Sequence, residues 1–283
     1  MLAIGWTSVP QRIAAVVGIA LVILAAPLAV RAGNLVYSGA LQFATGDYIF
    51  TDRTNSIYLM NGLFLSVGPA HLSVSVPVIY QNTSLVSNSG PGMIPSGGEG
   101  SDGVRQHRHG GQIHVTATND FREVEVGDPL ARADLEVLEG GNRSPSISVA
   151  ALAKPPVASV QRGFGTGKWD YGAGLSVAHV IHRYVASASM IYWVMGDPAG
   201  VDFENPIAYS IAIGRPLANS KFSALLSLSG YTQIVENTDP FRQLGILLTY
   251  WLTTRRNLNG SIIFGLTEST PDVGLSIGWG ITL

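Results

Sequence analysis

The chain has 283 residues, of which 13% are charged and 46% hydrophobic, with a formal net charge of -2 and no cysteine. Charged residues are about half as frequent as the ~25% usual in soluble domains, no disulfide framework is possible, and the near-neutral balance lacks the basic face that nucleic acid requires. Beyond the N-terminal region no segment approaches the apolar run of ~20 residues that a spanning helix needs, so a chain this apolar is either a large buried β fold or a membrane barrel.

At the N-terminus, Arg12 precedes the apolar run Ile13 to Leu24, and Val30-Arg31-Ala32 places small residues where a signal peptidase reads. This layout predicts a cleaved signal peptide over residues 1–32 and a mature chain of 33–283. From there the apolar residues recur with a period of two, which means extended strands whose faces meet different surroundings. Strands are predicted near 36–46, 56–67, 71–81, 128–138, 145–154, 170–181, 184–195, 206–215, 221–232, 241–253, 258–267 and 272–283. Most are about ten residues long, the length of a tilted membrane-crossing strand. In the last, Val273, Leu275, Ile277, Trp279, Ile281 and Leu283 alternate with Gly274, Ser276, Gly278, Gly280 and Thr282.

The links between strands sort by parity. Even-numbered links are tight, such as Gly68-Pro69-Ala70 and His182-Arg183, whereas odd-numbered links are mostly longer. Short periplasmic turns alternating with longer outer loops characterise outer-membrane barrels. The longest link, at about 82–127, contains the Gly-, Ser- and Pro-rich stretch Ser87 to Gly111, and a loop of that length is either functional or disordered. Tyr80, Tyr171, Tyr184, Tyr192, Tyr209, Tyr231, Tyr250 and Trp279 fall on strands, several near their ends, where an interfacial girdle would place them. The fold class expected is all-β, a transmembrane antiparallel up-and-down β-barrel of about 12 strands in the Gram-negative outer membrane.

The face opposite the apolar stripe carries mainly small residues, among them Ser73, Ser75, Gly172, Gly174, Ser176, Ser187, Ser189, Ser223, Ser227, Gly245 and Thr249. Charge interrupts this pattern on one strand, where Arg132, Asp134 and Glu136 share a side. An Arg facing lipid at the midplane costs ~2–4 kcal/mol, so the three are expected inside. There they form either an ion-pair network bracing the wall, the simpler account, or a polar strip passed by solutes. Arg132, Asp134, Glu136, Ser187, Ser227 and Gln243 are the pore-lining candidates. His107, His109 and His114 cluster in the long loop without a carboxylate or cysteine at metal-ligand spacing, and a solvated loop explains them. Gly163 to Gly167 lacks the Lys-Ser/Thr of a phosphate-binding loop. His179 and His182 are not placed to activate an inward serine, and no G-x-S-x-G elbow is present. The residues therefore predict no catalytic, metal or cofactor site, and no enzyme.

Three short stretches resemble a known family: Thr166-Gly167-Lys168-Trp169-Asp170-Tyr171-Gly172, Val126-Gly127-Asp128-Pro129-Leu130, and Gly265-Leu266-Thr267-Glu268-Ser269-Thr270-Pro271-Asp272. They are similar to the outer-membrane family of "meta-pathway of phenol degradation" proteins. The resemblance implies a β-barrel channel for passive uptake of small hydrophobic or aromatic compounds, with membrane lipid, the outer-membrane assembly machinery and the solute as partners. It supplies no catalytic residues. The chain ends on Leu283, where such barrels commonly end on an aromatic residue. The alternatives are a structural or surface-interaction barrel without transport and, further off, a lipid-modifying barrel enzyme.

Overall fold

A computed structural model of the protein describes residues 34–47, 53–82, 86–88, 93–95, 123–141, 143–160, 162–197, 203–217, 221–235 and 238–283. The expected signal peptide and most of the long loop, with His107, His109 and His114, lie outside the described residues. All regular structure among the described residues is strand: β1 (Asn34–Gly46), β2 (Thr54–Val67), β3 (Ala70–Gln81), β4 (Val86–Asn88), β5 (Met93–Pro95), β6 (Glu123–Val126), β7 (Leu130–Leu138), β8 (Ser146–Lys154), β9 (Asp170–Ile181), β10 (Tyr184–Val194), β11 (Ile207–Leu217), β12 (Phe222–Tyr231), β13 (Arg242–Thr253), β14 (Arg256–Gly265) and β15 (Val273–Thr282).

Thirteen of these strands form one antiparallel sheet, while β4 and β5 pair only with each other. β6 and β7 share one position in the wall, since β3 pairs with β6 through 78–81 and with β7 through 70–75. The wall therefore has twelve positions, and it closes because β1 pairs with β15 from Val36↔Thr282 to Thr45↔Val273. Closure gives each of the twelve wall positions a neighbour on both sides, with β6 alone, paired only with β3, keeping an open side, which meets the condition for crossing a bilayer in extended form.

Register and exposure separate the two faces. Outward residues are apolar and exposed, as at Ile211 (59%), Leu248 (52%) and Ile277 (68%). Inward partners on the same strands are small, so Gly278 of β15 lies between Ala40 of β1 and Asn259 of β14. On the outside, Trp279 lies across Gly39, where an added Cβ would stand 2.3 Å from the indole. Tyr171, Tyr184 and Tyr192 are exposed on this face, as a girdle requires. Tyr231 is a correction: it pairs with the inward Ala208, is 4% exposed and belongs to the interior.

The links at one end are short, at 68–69, 139–145, 182–183, 218–221 and 254–255, while those at the other end are mostly longer. The fourth wall strand begins at Glu123, ahead of the expected Asp128, and is interrupted at 127–129. Two of the three two-residue turns open on a residue with positive φ: Gly68 at 56° and His182 at 58°. Glycine adopts this conformation freely, whereas histidine meets its own Cβ.

Two measurements test this arrangement. His182→Gly is expected to stabilise the barrel by about 0.5–1 kcal/mol, read from urea unfolding in detergent. Leu248→Arg is expected to cost ~2–4 kcal/mol and lower insertion into liposomes, whereas Ser227→Arg, on the inner face, folds with little loss. Equal behaviour of the last two variants would refute the assigned faces.

Candidate functional site in the lumen

The half of the interior next to the short turns carries mainly small polar side chains, with Phe64, Leu225 and Leu247 among them. Ser187, Ser189, Ser223, Ser227 and Thr249 project there from β10, β12 and β13, and pair across strands as Ser223↔Thr249 and Ser227↔Gly245. Gln243 donates through Nε2 to Ser229 Oγ at 3.2 Å. Arg132 forks onto Asp134, Nη2 to Oδ1 at 2.6 Å and Nε to Oδ2 at 2.7 Å. Glu136, on the same face, makes no ion pair among the described residues, so the bracing network reduces to a single pair. His71 of β3 stands between Ser66 and Asp134 in register; its Nδ1 lies 2.6 Å from Ser66 Oγ and its ring stacks on Phe64 at 5.7 Å. All six candidates named from the sequence lie on the inner face, with Gln243 and Ser229 toward the other end.

The long-loop half is different. The link between β8 and β9 turns inward at Ala158 and Phe164 and is held by Asp128, which leaves the wall at the break between β6 and β7. Its Oδ1 accepts from the backbone amides of Val157 and Ala158, both at 2.7 Å, and its Oδ2 accepts from Lys154 Nζ at 2.6 Å. Lys154 Nζ also lies 3.3 Å from Asp170 Oδ2, and Asp170 Oδ1 accepts from Gly196 N at 3.1 Å. The three side chains are at most 2% exposed. One ammonium thus neutralises one of two buried carboxylates, while backbone amides bind the remaining oxygens, a charge-assisted arrangement that makes burial tolerable. Gly165 packs directly on it, since a Cβ there would lie 2.9 Å from both Asp128 Oδ2 and Ala158 Cβ.

Held in this way, the loop delivers Ala158 and Phe164 onto Ala44, Tyr58 and Ile79 of the inner wall. Across the barrel, Ala150, Leu152, Trp193 and Met195 form a second apolar cluster. A third joins Tyr231 with Ile234, Val235 and Phe241, and Phe203 and Ala208 pack against both of these. Tyr231 and Phe241 stack at 4.8 Å. The expectation of an interior lined mainly by small residues therefore holds only for the short-turn half. Sequence reading missed the apolar half because its aromatics sit at strand ends or in loops. It missed the charged cluster because Asp128, Lys154 and Asp170 come from three separate strand ends.

At the same end Arg53 joins the first and last links of the wall, pairing with Asp47 at 3.2 Å and with Asp272. The hydrogen bond to Asp272, followed by the charge of Asp47, raises the pKa of Arg53 above its ordinary value and keeps it cationic. Among the described residues no group of His, Cys, Asp or Glu is arranged to hold a metal ion.

A closed antiparallel wall of twelve positions, apolar outside, with short turns at one end and inward-packed loops at the other, is an outer-membrane β-barrel. The start of β1 and the end of β15 both lie at the short-turn end, the periplasmic side in barrels of this class. Residues 65–282 match the family described as "MetA-pathway of phenol degradation", and the chain belongs to that family. Among solved structures, the barrel is similar to an outer membrane channel from Pseudomonas putida F1, with 10% identity, coverage of 89% of this chain and 96% of the other, and a TM-score of 0.61. Lower similarity extends to the KdgM porin in complex with oligogalacturonate (7% identity, 88% and 99% coverage, TM-score 0.44). The P. putida toluene transporter TodX is at a comparable level (10% identity, 89% coverage of both chains, TM-score 0.40). No curated protein matches the chain by sequence.

The tether has a direct test. Asp128→Ala removes the acceptor of three hydrogen bonds and leaves Lys154 buried with one partner. A loss of about 3–5 kcal/mol is expected, with new protease cleavage inside 155–169 in the folded, detergent-solubilised barrel. An unchanged cleavage pattern would show that the loop is held by something else.

Proposed function

We propose that the protein is a passive outer-membrane channel for small hydrophobic or aromatic compounds. The observation that carries this reading is the concentration of apolar and aromatic side chains in the long-loop half, where Tyr58, Phe164, Trp193, Phe203, Tyr231 and Phe241 pack into clusters inside the barrel. Interiors of such barrels are ordinarily polar, and nothing about folding in a membrane requires aromatic rings there. An aromatic solute gains free energy by leaving water, at ~25 cal/mol per Å² of apolar surface buried, and ring contacts add about 0.5–1.5 kcal/mol each.

Passage requires that binding remain weak enough for release. The Ser- and Gly-rich half below offers more hydrogen-bonding groups and less apolar surface, so a solute bound in the upper half faces a wetter exit. The Arg132–Asp134 pair presents both charges to this path and favours neutral solutes over ions of either sign. The family name and the channel from P. putida F1 support the reading from outside the structure.

Uptake of a panel of labelled aromatic solutes by cells with and without the protein tests it. Expression is expected to raise uptake of neutral aromatics several-fold, and Phe203→Arg, which charges the apolar half, is expected to abolish most of that gain while the barrel still folds. No difference for any solute, together with no conductance in planar bilayers, would favour a barrel whose role is structural or surface interaction.

A further inference from the structure

The short-turn end carries a charge pattern that transport does not use. Arg183, Arg215, Lys221, Arg255 and Arg256 occupy three turns and the strand ends beside them, and all five are exposed. No Asp or Glu occurs in 176–190, 211–228 or 247–263, the segments that form these three hairpin ends. β9 to β14 are consecutive in the wall, so the turns lie side by side along one arc of the rim. With strands ~4.8 Å apart, successive turns stand roughly 10 Å from one another.

None of the five makes an ion pair among the described residues. At the opposite end Arg53, Lys154 and Arg162 are matched to carboxylates, and Lys168 and Arg242, which make no ion pair among the described residues, lie in segments that also carry Asp170, Asp239 and Glu268. Uncompensated positive charge is thus gathered on one side of the periplasmic rim. Register turns part of it outward: Arg215 continues the face of Ile211 and Ile213, and Arg256 pairs with Ile281. The Arg215 guanidinium lies 5.8 Å from the Tyr184 ring centroid and donates to Tyr184 Oη at 3.3 Å. Phe222 and Tyr250 stack at 4.6 Å on the same outward face. Aromatic rings of this kind settle at the headgroup boundary, and long cationic side chains beside them reach into it.

We propose that this arc, Arg183, Arg215, Lys221, Arg255 and Arg256, binds the phosphate groups of anionic phospholipids in the periplasmic leaflet. The occupant is a lipid because Arg215 and Arg256 stand on the outer face of the wall beside the aromatic belt, with Arg183, Lys221 and Arg255 in the turns next to them, where a neighbouring lipid presents its phosphate. Guanidinium groups suit phosphate through paired N–H donors, and each cation near an anionic surface adds to the attraction.

The test uses the complete barrel in nanodiscs of phosphatidylcholine containing a minority of phosphatidylglycerol, with boundary lipid measured by spin-label spectroscopy. Phosphatidylglycerol is expected to be enriched at the boundary by about threefold or more. Replacing all five residues by Gln should remove the enrichment, whereas Lys168→Gln with Arg242→Gln, at the other end, should leave it intact. Independently of any variant, salt near 1 M, where the Debye length is about 3 Å, should suppress it in the native protein. Excess inorganic phosphate at constant ionic strength separates lipid from free anion, and the preference should persist. Equal association of the two lipids, enrichment that survives high salt or the folded five-residue variant, or loss of preference to inorganic phosphate would each overturn the proposal.

Discussion

No backbone amide or carbonyl can be left without a partner in hydrocarbon, and this constraint governs the molecule from end to end. It explains why β1 finds β15 across almost the whole chain, with a register unbroken for ten residue pairs. It also explains how the wall survives its one interruption. Where β6 gives way to β7, the facing residue on β3 is Pro77, which has no N–H to strand, and its carbonyl accepts from Gly127 N at 2.9 Å. Proline inside a membrane-crossing strand would ordinarily be a defect. Here it stands opposite a break that asks nothing of its nitrogen.

That interruption frees Asp128 from the alternation of the wall and lets it serve the interior. Buried ion pairs are weak sources of net stability, because desolvation offsets most of the attraction. What this cluster supplies is position. Asp128 holds the start of the 155–169 segment and Asp170 holds Gly196, so two loops take their bearings from one ammonium, Lys154. The aromatic residues they carry then meet the wall at defined places. The apolar half of the lumen is thus a consequence of an electrostatic anchor, and the polar half a consequence of small side chains on regular strands.

The wall was legible because period-two alternation is a local signal, and lipid outside with open space inside makes that signal unusually clean. Arg132 and Asp134 were readable for the same reason, as charges that cannot face lipid. Tyr231 shares its parity with Ser227 and Ser229, which marks it as inward, although its aromatic character suggested the girdle. The Asp128–Lys154–Asp170 cluster was not legible. Each member sits at the end of a strand, where alternation fades, and the contact that defines it joins residues 26 positions apart. The three family stretches hinted at it, since two of them contain Asp128 and Asp170. Asp272, in the third, is fixed by Arg53 from the far end of the chain.

Asp128 grips the inward loop by its first amides, those of Val157 and Ala158. Of the residues that follow, Gly165 is held against the cluster by close packing, whereas the exposed positions of the link, such as Val160 and Arg162, can change without disturbing the grip or the wall. A barrel organised in this way separates inheritance of the container from inheritance of its lining. Relatives can diversify what lies in the mouth by drift in one short segment, while the staves, their register and the seam remain as they are.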